Sequence, residues 1–256
     1  MRSLAFFAIA IVLTSCGPDL DADKYTIASV QWQDLEDYTF HYDKDELRSI
    51  SVTDGTSIQY QYFNDSTQAR FISAGGVTIR FTTLVYSASR SLSKVRTRWR
   101  YNGLFYKDSI VFNHSGSRLQ SITWKGVNYL VTFTGENITN IKRNFASLGN
   151  LDLAYDRVTN PFKGVYWSDE FINVSPTGAP AIQFNAIARY FSANNITLSD
   201  GTILSTKYKE SYTYDYLYGI LPKSVNRDEE FNKTVTNDLI YIALIVYNKK
   251  SASTTP

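Results

Sequence analysis

Three sets of side chains in this sequence could do chemistry, and each implies a different partner. Acids come in runs: Asp34, Glu36 and Asp37; Asp169 and Glu170; and Asp228, Glu229 and Glu230. Two carboxyls held roughly 5–10 Å apart across a cleft are what glycoside hydrolysis needs. Solvated loops use the same composition, and no spacing here selects one pair. His41 and His114 lie far apart in the chain, and Cys16 is the lone cysteine, so the ligand set for a metal is thin. No Gly-x-Ser-x-Gly elbow, phosphate loop, His-Glu-x-x-His or dinucleotide fingerprint occurs. No catalytic residue, metal or cofactor is therefore expected.

The second set is cationic. Lys94-Val95-Arg96-Thr97-Arg98-Trp99-Arg100 alternates bases with other residues. On a strand, Lys94, Arg96, Arg98 and Arg100 share one face at intervals of ~6.5–7 Å. Such a ribbon attracts an anionic polymer or lipid headgroups. Its plainer roles are a solubilising outward face, or an edge strand protected from aggregation by charge. Nucleic acid would need the pattern repeated with exposed aromatics. With 26 bases against 24 acids, a net charge of +2, nucleic acid is not an expected partner. The third set is aromatic: Trp32, Trp99, Trp124 and Trp167 with 19 Tyr could stack on sugars, or could simply fill a core. Tyr166-Trp167, beside a break in the strand pattern, is the pair singled out for ligand contact.

Strands must position all of these. Tyr, Phe and Trp make up about 15% of the 256 residues, which favours sheet. Tyr38-Thr39-Phe40-His41-Tyr42-Asp43 leads through a polar turn to Leu47-Arg48-Ser49-Ile50. Ile110–Asn113 with Leu119–Ile122, Val131–Phe133 with Ile138–Ile141, and Tyr212–Asp215 with Pro222–Val225 repeat the unit. Looser copies lie at Tyr60–Ile72, Phe81–Val95 and Leu151–Phe162, and the anchors Tyr42, Phe63, Tyr86, Phe112, Phe133 and Tyr155 recur every 21–26 residues. Each unit is a β-hairpin: period-2 alternation, then Asp, Asn or Gly for the turn. Tyr38, Phe40 and Tyr42 face one way; Thr39, His41 and Asp43 face the other, and His114 falls in a turn. Seven or so hairpins in series predict an all-β fold, a long antiparallel meander. More than ~10 strands curl or close, so the sheet is expected to be strongly curved or a barrel, with a flat sandwich second. Asn160-Pro161-Phe162 ends a strand, and Ile182, Ala186, Ile187, Tyr190 and Phe191 have helical spacing. One short helix near 180–192, plugging or capping the sheet, is expected. Leu239–Tyr247 reads as a buried central or closing strand.

Residues 1–15 read as an export signal, with Arg2 ahead of the apolar run Leu4–Leu13, too short for a membrane helix. Leu13-Thr14-Ser15-Cys16 resembles the bacterial lipobox, which implies cleavage before Cys16 and acylation of its thiol. Residues 16–24 then form a flexible acidic tether, 25–248 a single β domain and 249–256 a polar tail. Gly17 in place of the inner-membrane retention Asp implies the outer membrane, and Asp19, Asp21 and Asp23 resemble an acidic surface-export stretch. The Tyr-x-Tyr-Asp…Leu-x-Ser-Ile unit resembles the tyrosine–aspartate repeats of Rhs-type proteins. The lipobox, the hairpins, Tyr155-Asp156…Asn160-Pro161-Phe162 and Ser192-Ala193-Asn194-Asn195-Ile196 together resemble uncharacterised Bacteroidetes lipoproteins with a porin-like barrel fold. That resemblance implies a barrel but carries over no catalytic residue.

These features converge on a lipid-anchored outer-membrane or surface protein, a non-catalytic binding or envelope-interaction module for a glycan, lipid or envelope protein. A carbohydrate-active enzyme and a barrel carrying an apolar ligand are the alternatives. Cys16→Ser should abolish acylation, which detergent phase partition and intact mass will read as a protein without acyl increments that stays in the aqueous phase.

Overall fold

The computed structural model describes residues 22, 25–32, 36–44, 46–144, 149–166, 171–174, 178–203, 206–231, 234–235 and 241–250. Cys16, the tether, Asp34, Trp167, Asp169, Glu170 and the tail beyond 250 lie outside them. The first twelve strands are β1 (Tyr25–Trp32), β2 (Tyr38–Asp43), β3 (Glu46–Val52), β4 (Ser57–Tyr62), β5 (Ser66–Ile72), β6 (Thr78–Tyr86), β7 (Leu92–Tyr101), β8 (Leu104–Ser115), β9 (Arg118–Trp124), β10 (Val127–Thr134), β11 (Asn137–Arg143) and β12 (Gly149–Thr159). There follow β13 (Ile172–Val174), β14 (Pro180–Ile182), the helix α1 (Phe184–Phe191), β15 (Asn194–Ile203), β16 (Thr206–Leu217), β17 (Leu221–Phe231), β18 (Thr234–Val235) and β19 (Tyr241–Lys249).

Each strand from β1 to β12 pairs antiparallel with the next. β12 then pairs with β15, and the ladder continues through β16 and β17 to β19. β19 pairs along its length with β1, from Tyr25 opposite Lys249 to Trp32 opposite Ala243. The result is a closed 16-strand antiparallel barrel with a single short helix. β13 and β14 form a separate two-stranded ribbon, and β18 is a two-residue addition to β17. Tight turns set the register where both central residues need positive φ: Asn102-Gly103 joins β7 to β8 and Lys125-Gly126 joins β9 to β10.

The alternation read from the sequence decides which side is wet. Phe40, Ile50, Ile58, Ala69, Leu84, Val95, Ile110, Ile122, Ile138, Ile141 and Ile245 point into the lumen and are buried. Their neighbours Thr39, His41, Gln59, Gln61, Arg70, Arg96, Arg98, Thr132, Asp152 and Asp200 point out and are exposed. A barrel that crosses a lipid bilayer has the reverse arrangement, and a base at the midplane of such a wall costs about 2–4 kcal/mol. The outer wall here is a surface made for water or headgroups, not for hydrocarbon. Among the described residues, no helix is long and apolar enough to cross a membrane.

Wall side chains alone do not fill a lumen of this width. The chain fills it with its own insert, which leaves the wall after β12 and returns at β15. Phe171 is 1% exposed, its ring edge-on to Phe112, Tyr166 and Tyr190 at 5.9, 5.2 and 5.3 Å. Ala186, Ile187 and Ala188 bury one side of α1, while Phe184 and Phe191 reach Tyr129 and Phe112. An eight-residue helix is marginal alone and is held here by packing. Buried Asn160 ties the insert at its entry. Its amide donates to the carbonyls of Arg189 (2.6 Å) and Ser192 (3.0 Å), and its oxygen accepts from the Phe162 amide at 2.9 Å. The expected plug near 180–192 is this insert.

Three local expectations are corrected. Leu151–Phe162 is not a hairpin: β12 is one strand whose partner, β15, lies beyond the insert, because Asn160 and Pro161 turn the chain inward. His114 is on β8 rather than in a turn, with its ring 6.2 Å from Phe191. Burial lowers its pKa, so it is neutral at pH 7. β7 is flanked by β6 and β8 in a sheet without a free edge, so edge protection does not explain its charge. Phe171→Ala should cost about 3–5 kcal/mol in urea unfolding through the cavity it leaves, whereas Thr83→Ala on the outer wall should stay within about 0.5 kcal/mol.

Candidate functional site

Because the wall strands alternate in direction, β2, β4 and β6 all end at the rim where β1 begins and β19 finishes. Each of the three brings an inward tyrosine there: Tyr42, Tyr62 and Tyr86. Tyr60 lies one inward position deeper on β4, and Leu47 on β3 and Thr67 on β5 flank Tyr62 from the neighbouring strands. Gly164, Val165 and Tyr166 of the insert form the floor, and Glu46 stands at the opening. Together they line a cavity of about 270 Å3.

The cavity is held by its own hydroxyls. Tyr60 Oη donates to the Tyr166 carbonyl at 2.7 Å, and Tyr62 Oη donates to the Leu47 carbonyl at 2.6 Å. Tyr166 Oη is bonded to Thr82, which in turn sits 3.2 Å from Thr97. Tyr86 and Tyr190 bond through their side chains, and the Gly164 amide donates to the Tyr190 carbonyl at 2.9 Å. Arg80 points inward over the Phe71 ring, 3.7 Å from its centroid. Burial lowers its guanidinium to about 10, which leaves it charged at neutral pH.

Burial also raises the phenols. Tyr42 is pushed up to about 12, first by burial and then by Tyr62. Tyr62 is pushed up to about 12 by burial, then by Glu46 and Tyr86, against a lowering by Arg48. Tyr60 and Tyr166 are raised, chiefly by burial. Among the described residues the mouth is thus a cup of neutral phenols, with the Glu46 carboxylate at its lip paired to Arg48 at 2.6 Å.

The favoured residues fall in two places. Tyr166 lines the cup, and its neighbour Trp167 lies outside the described residues. Lys94, Arg96, Arg98 and Arg100 share the outward face of β7, away from the cup. Of the tryptophans, Trp99 is buried and stacked on Tyr106 at 6.0 Å, and Trp124 Nε1 donates to Asp108 at 3.0 Å, so neither offers a free platform. Among the acid runs, Glu36 and Asp37 lie in the β1–β2 connection, while Asp228 and Glu230 face outward on β17, Glu230 opposite Lys209.

Two other carboxylates are taken up by structural bonds, Asp156 within the wall and Glu210 between the wall and the plug. Asp156 accepts from the Val158 and Asn195 amides and from the hydroxyl of Tyr216. Glu210 is bonded to Asn185 and Tyr212, with Arg227 at 3.8 Å. Neither lines the cup. Among the described residues, no group of three His, Cys, Asp or Glu is placed to hold a metal ion.

The site residues missed from the sequence are Glu46 and the rim tyrosines. The signal was the recurring aromatic at the strand ends. The anchor taken at Phe63 is one residue off: Tyr62 faces in, while Phe63 is exposed in the turn, and a one-residue shift exchanges the faces.

Filled by its own chain, apolar within and polar without, the molecule is a plugged antiparallel barrel with a tyrosine cup at one rim. No family model and no curated protein matches the sequence. Solved structures do share the fold. A porin-like protein from Bacteroides uniformis is 13% identical over 87% of this chain and 96% of that one, with a TM-score of 0.52. A porin-like protein from Bacteroides vulgatus is 12% identical over 87% and 99%, with a TM-score of 0.50. At these identities the likeness is one of fold.

Folding favours the protonated phenols, so their contribution to stability is whole below pH 10 and lost as pH rises to about 12. Ultraviolet titration should show the cup tyrosines ionising late. Tyr42→Phe with Tyr62→Phe should flatten the loss of stability between pH 10 and 12.

Proposed function

We propose that this chain is a lipid-anchored protein of the bacterial outer membrane whose barrel stands in water and binds a small glycan in its tyrosine cup without transforming it. The observation that carries the reading is the cup itself. Tyr42, Tyr60, Tyr62, Tyr86 and Tyr166 surround one cavity of about 270 Å3, with Glu46 at its lip. A sugar ring has apolar C–H faces and polar edges. Tyrosine faces meet the first, and a carboxylate accepts two hydroxyls of the second. The volume is just below the ~300–1,000 Å3 of sites for drug-sized ligands, which suits one or two sugar units.

The polar outer wall supports a tethered protein rather than a spanning one. Acylation at Cys16 would then supply the membrane attachment that the wall does not. Eight residues lie between Cys16 and Tyr25, a reach of about 30 Å, so the barrel would stay close to the bilayer. Hydrolysis requires a pair of carboxyls, and among the described residues Glu46 is the one carboxyl that lines the cup. A carrier of apolar ligands requires an open dry lumen, which Phe171, Ile187 and their neighbours occupy.

Native mass spectrometry of protein extracted from its own membrane, followed by titration with the saccharide it retains, tests this. Tyr62→Ala and Glu46→Gln should each weaken binding about tenfold, and the bound saccharide should be recovered intact. Release of a cleaved sugar, or saccharide binding that both substitutions leave unchanged, would sink the proposal.

A further inference from the structure

The outer wall is not uniform. Residues 66–107, from the start of β5 into β8, carry eight bases and no acid, in a chain whose net charge is only +2. Of the eight, Arg80 turns into the lumen and Arg90 sits in the β6–β7 turn. The other six, Arg70, Lys94, Arg96, Arg98, Arg100 and Lys107, project outward. The ladder places them side by side: Arg70 is two strands from Arg98 with Phe81 between them, and Arg98 faces Lys107 directly. Strands lie ~4.8 Å apart and same-face residues ~6.5–7 Å apart, so these cations repel one another at short range. Among the described residues, no carboxylate comes within ion-pair distance of any of the six. The nearest acids in sequence stand off the wall. Asp65 is in the β4–β5 turn, and Asp108 points inward to bond Trp124.

The same wall ends in exposed apolar side chains at the rim opposite the cup. Leu104 is 63% exposed, Phe105 55%, Val77 50% and Ile79 44%. Phe105 lies opposite Arg100, and the Arg98 guanidinium sits 4.3 Å above its ring, which holds the aromatic among the cations. A linear polyanion would be served by the cations alone and has no use for two turns tipped with Val77 and Leu104. A lipid interface uses both, with phosphates meeting the bases and the apolar turns entering the headgroup layer.

We propose that the outward face of β5 to β8 is a docking surface for an anionic lipid bilayer, entered by the β5–β6 and β7–β8 turns and held by Arg70, Arg96, Arg98, Arg100 and Lys107. This surface is separate from the tyrosine cup and does not depend on acylation. It is tested with the Cys16→Ser protein, which has no acyl chain, by co-sedimentation with vesicles. The protein should bind phosphatidylcholine vesicles containing 30% phosphatidylglycerol and not pure phosphatidylcholine, and binding should fall steeply with salt.

Each base near an anionic surface is worth about fivefold in partition, so Arg98→Gln with Arg100→Gln should weaken binding about 25-fold. Leu104→Ser with Phe105→Ser should weaken it without changing its salt dependence. All four residues are exposed, and unchanged melting curves will show that the fold is kept. Arg70→Gln with Lys107→Gln, elsewhere on the same wall, gives an independent pair of substitutions. Equal binding to both vesicle types, no binding to either, or capture by dextran sulfate in place of the anionic vesicles would overturn the proposal.

Discussion

A closed barrel of sixteen strands has a lumen that must be filled, and this requirement governs the rest of the molecule. In a barrel of about eight strands the inward side chains meet at the axis, whereas sixteen leave a channel. Here the inward side chains are Ile, Leu, Val and Phe, which a water-filled channel would leave wet. The chain resolves the conflict by breaking its own meander after β12 and sending the segment beginning at Asn160 inside, where Phe171 and Ile187 become the centre of the core. Closure between β1 and β19 makes the lumen, and the insert makes it dry.

Much of the polar bonding inside the barrel then serves that insert. Asn160 and Ser192 bond each other and the surrounding backbone where the segment enters and leaves. Asp156 and Glu210 take amide and phenol donors from the insert and the wall around it. A buried carboxylate without such donors would cost several kcal/mol, so these acids are committed to structure. Between the last tyrosines of β2, β4 and β6 and the insert residues Gly164, Val165 and Tyr166 a space is left, and that space is the cup.

The outer wall follows from the same partition. Because the apolar face of most strands turns inward, the outward face is left largely to Ser, Thr, Gln and charge, with Leu130, Leu244 and Val246 among the exceptions. The sequence is free there to concentrate bases on one quarter of the circumference. Closure also removes edge protection as the reason for that concentration, since β7 has a partner on each side.

Periodicity of two is a local property, so it was legible without a fold. The faces of Tyr38–Asp43 and of Lys94–Arg100, the strand end at Asn160 and the short helix could all be read along the chain. Closure is not local. That β19, Tyr241–Lys249, seals the barrel depends on its meeting β1 from the far end of the sequence. That Leu151–Phe162 is one strand and not two depends on a partner more than thirty residues away. The cup was hidden for the same reason. Tyr42, Tyr62 and Tyr86 look alike in the sequence as core aromatics, and only their arrival at one rim, around Gly164, Val165 and Tyr166 of the plug, turns them from packing into a surface. Alternation of side chains sets the inside and the outside of every strand; which strands become neighbours, and where the filling stops, is set by contacts between residues the chain keeps far apart.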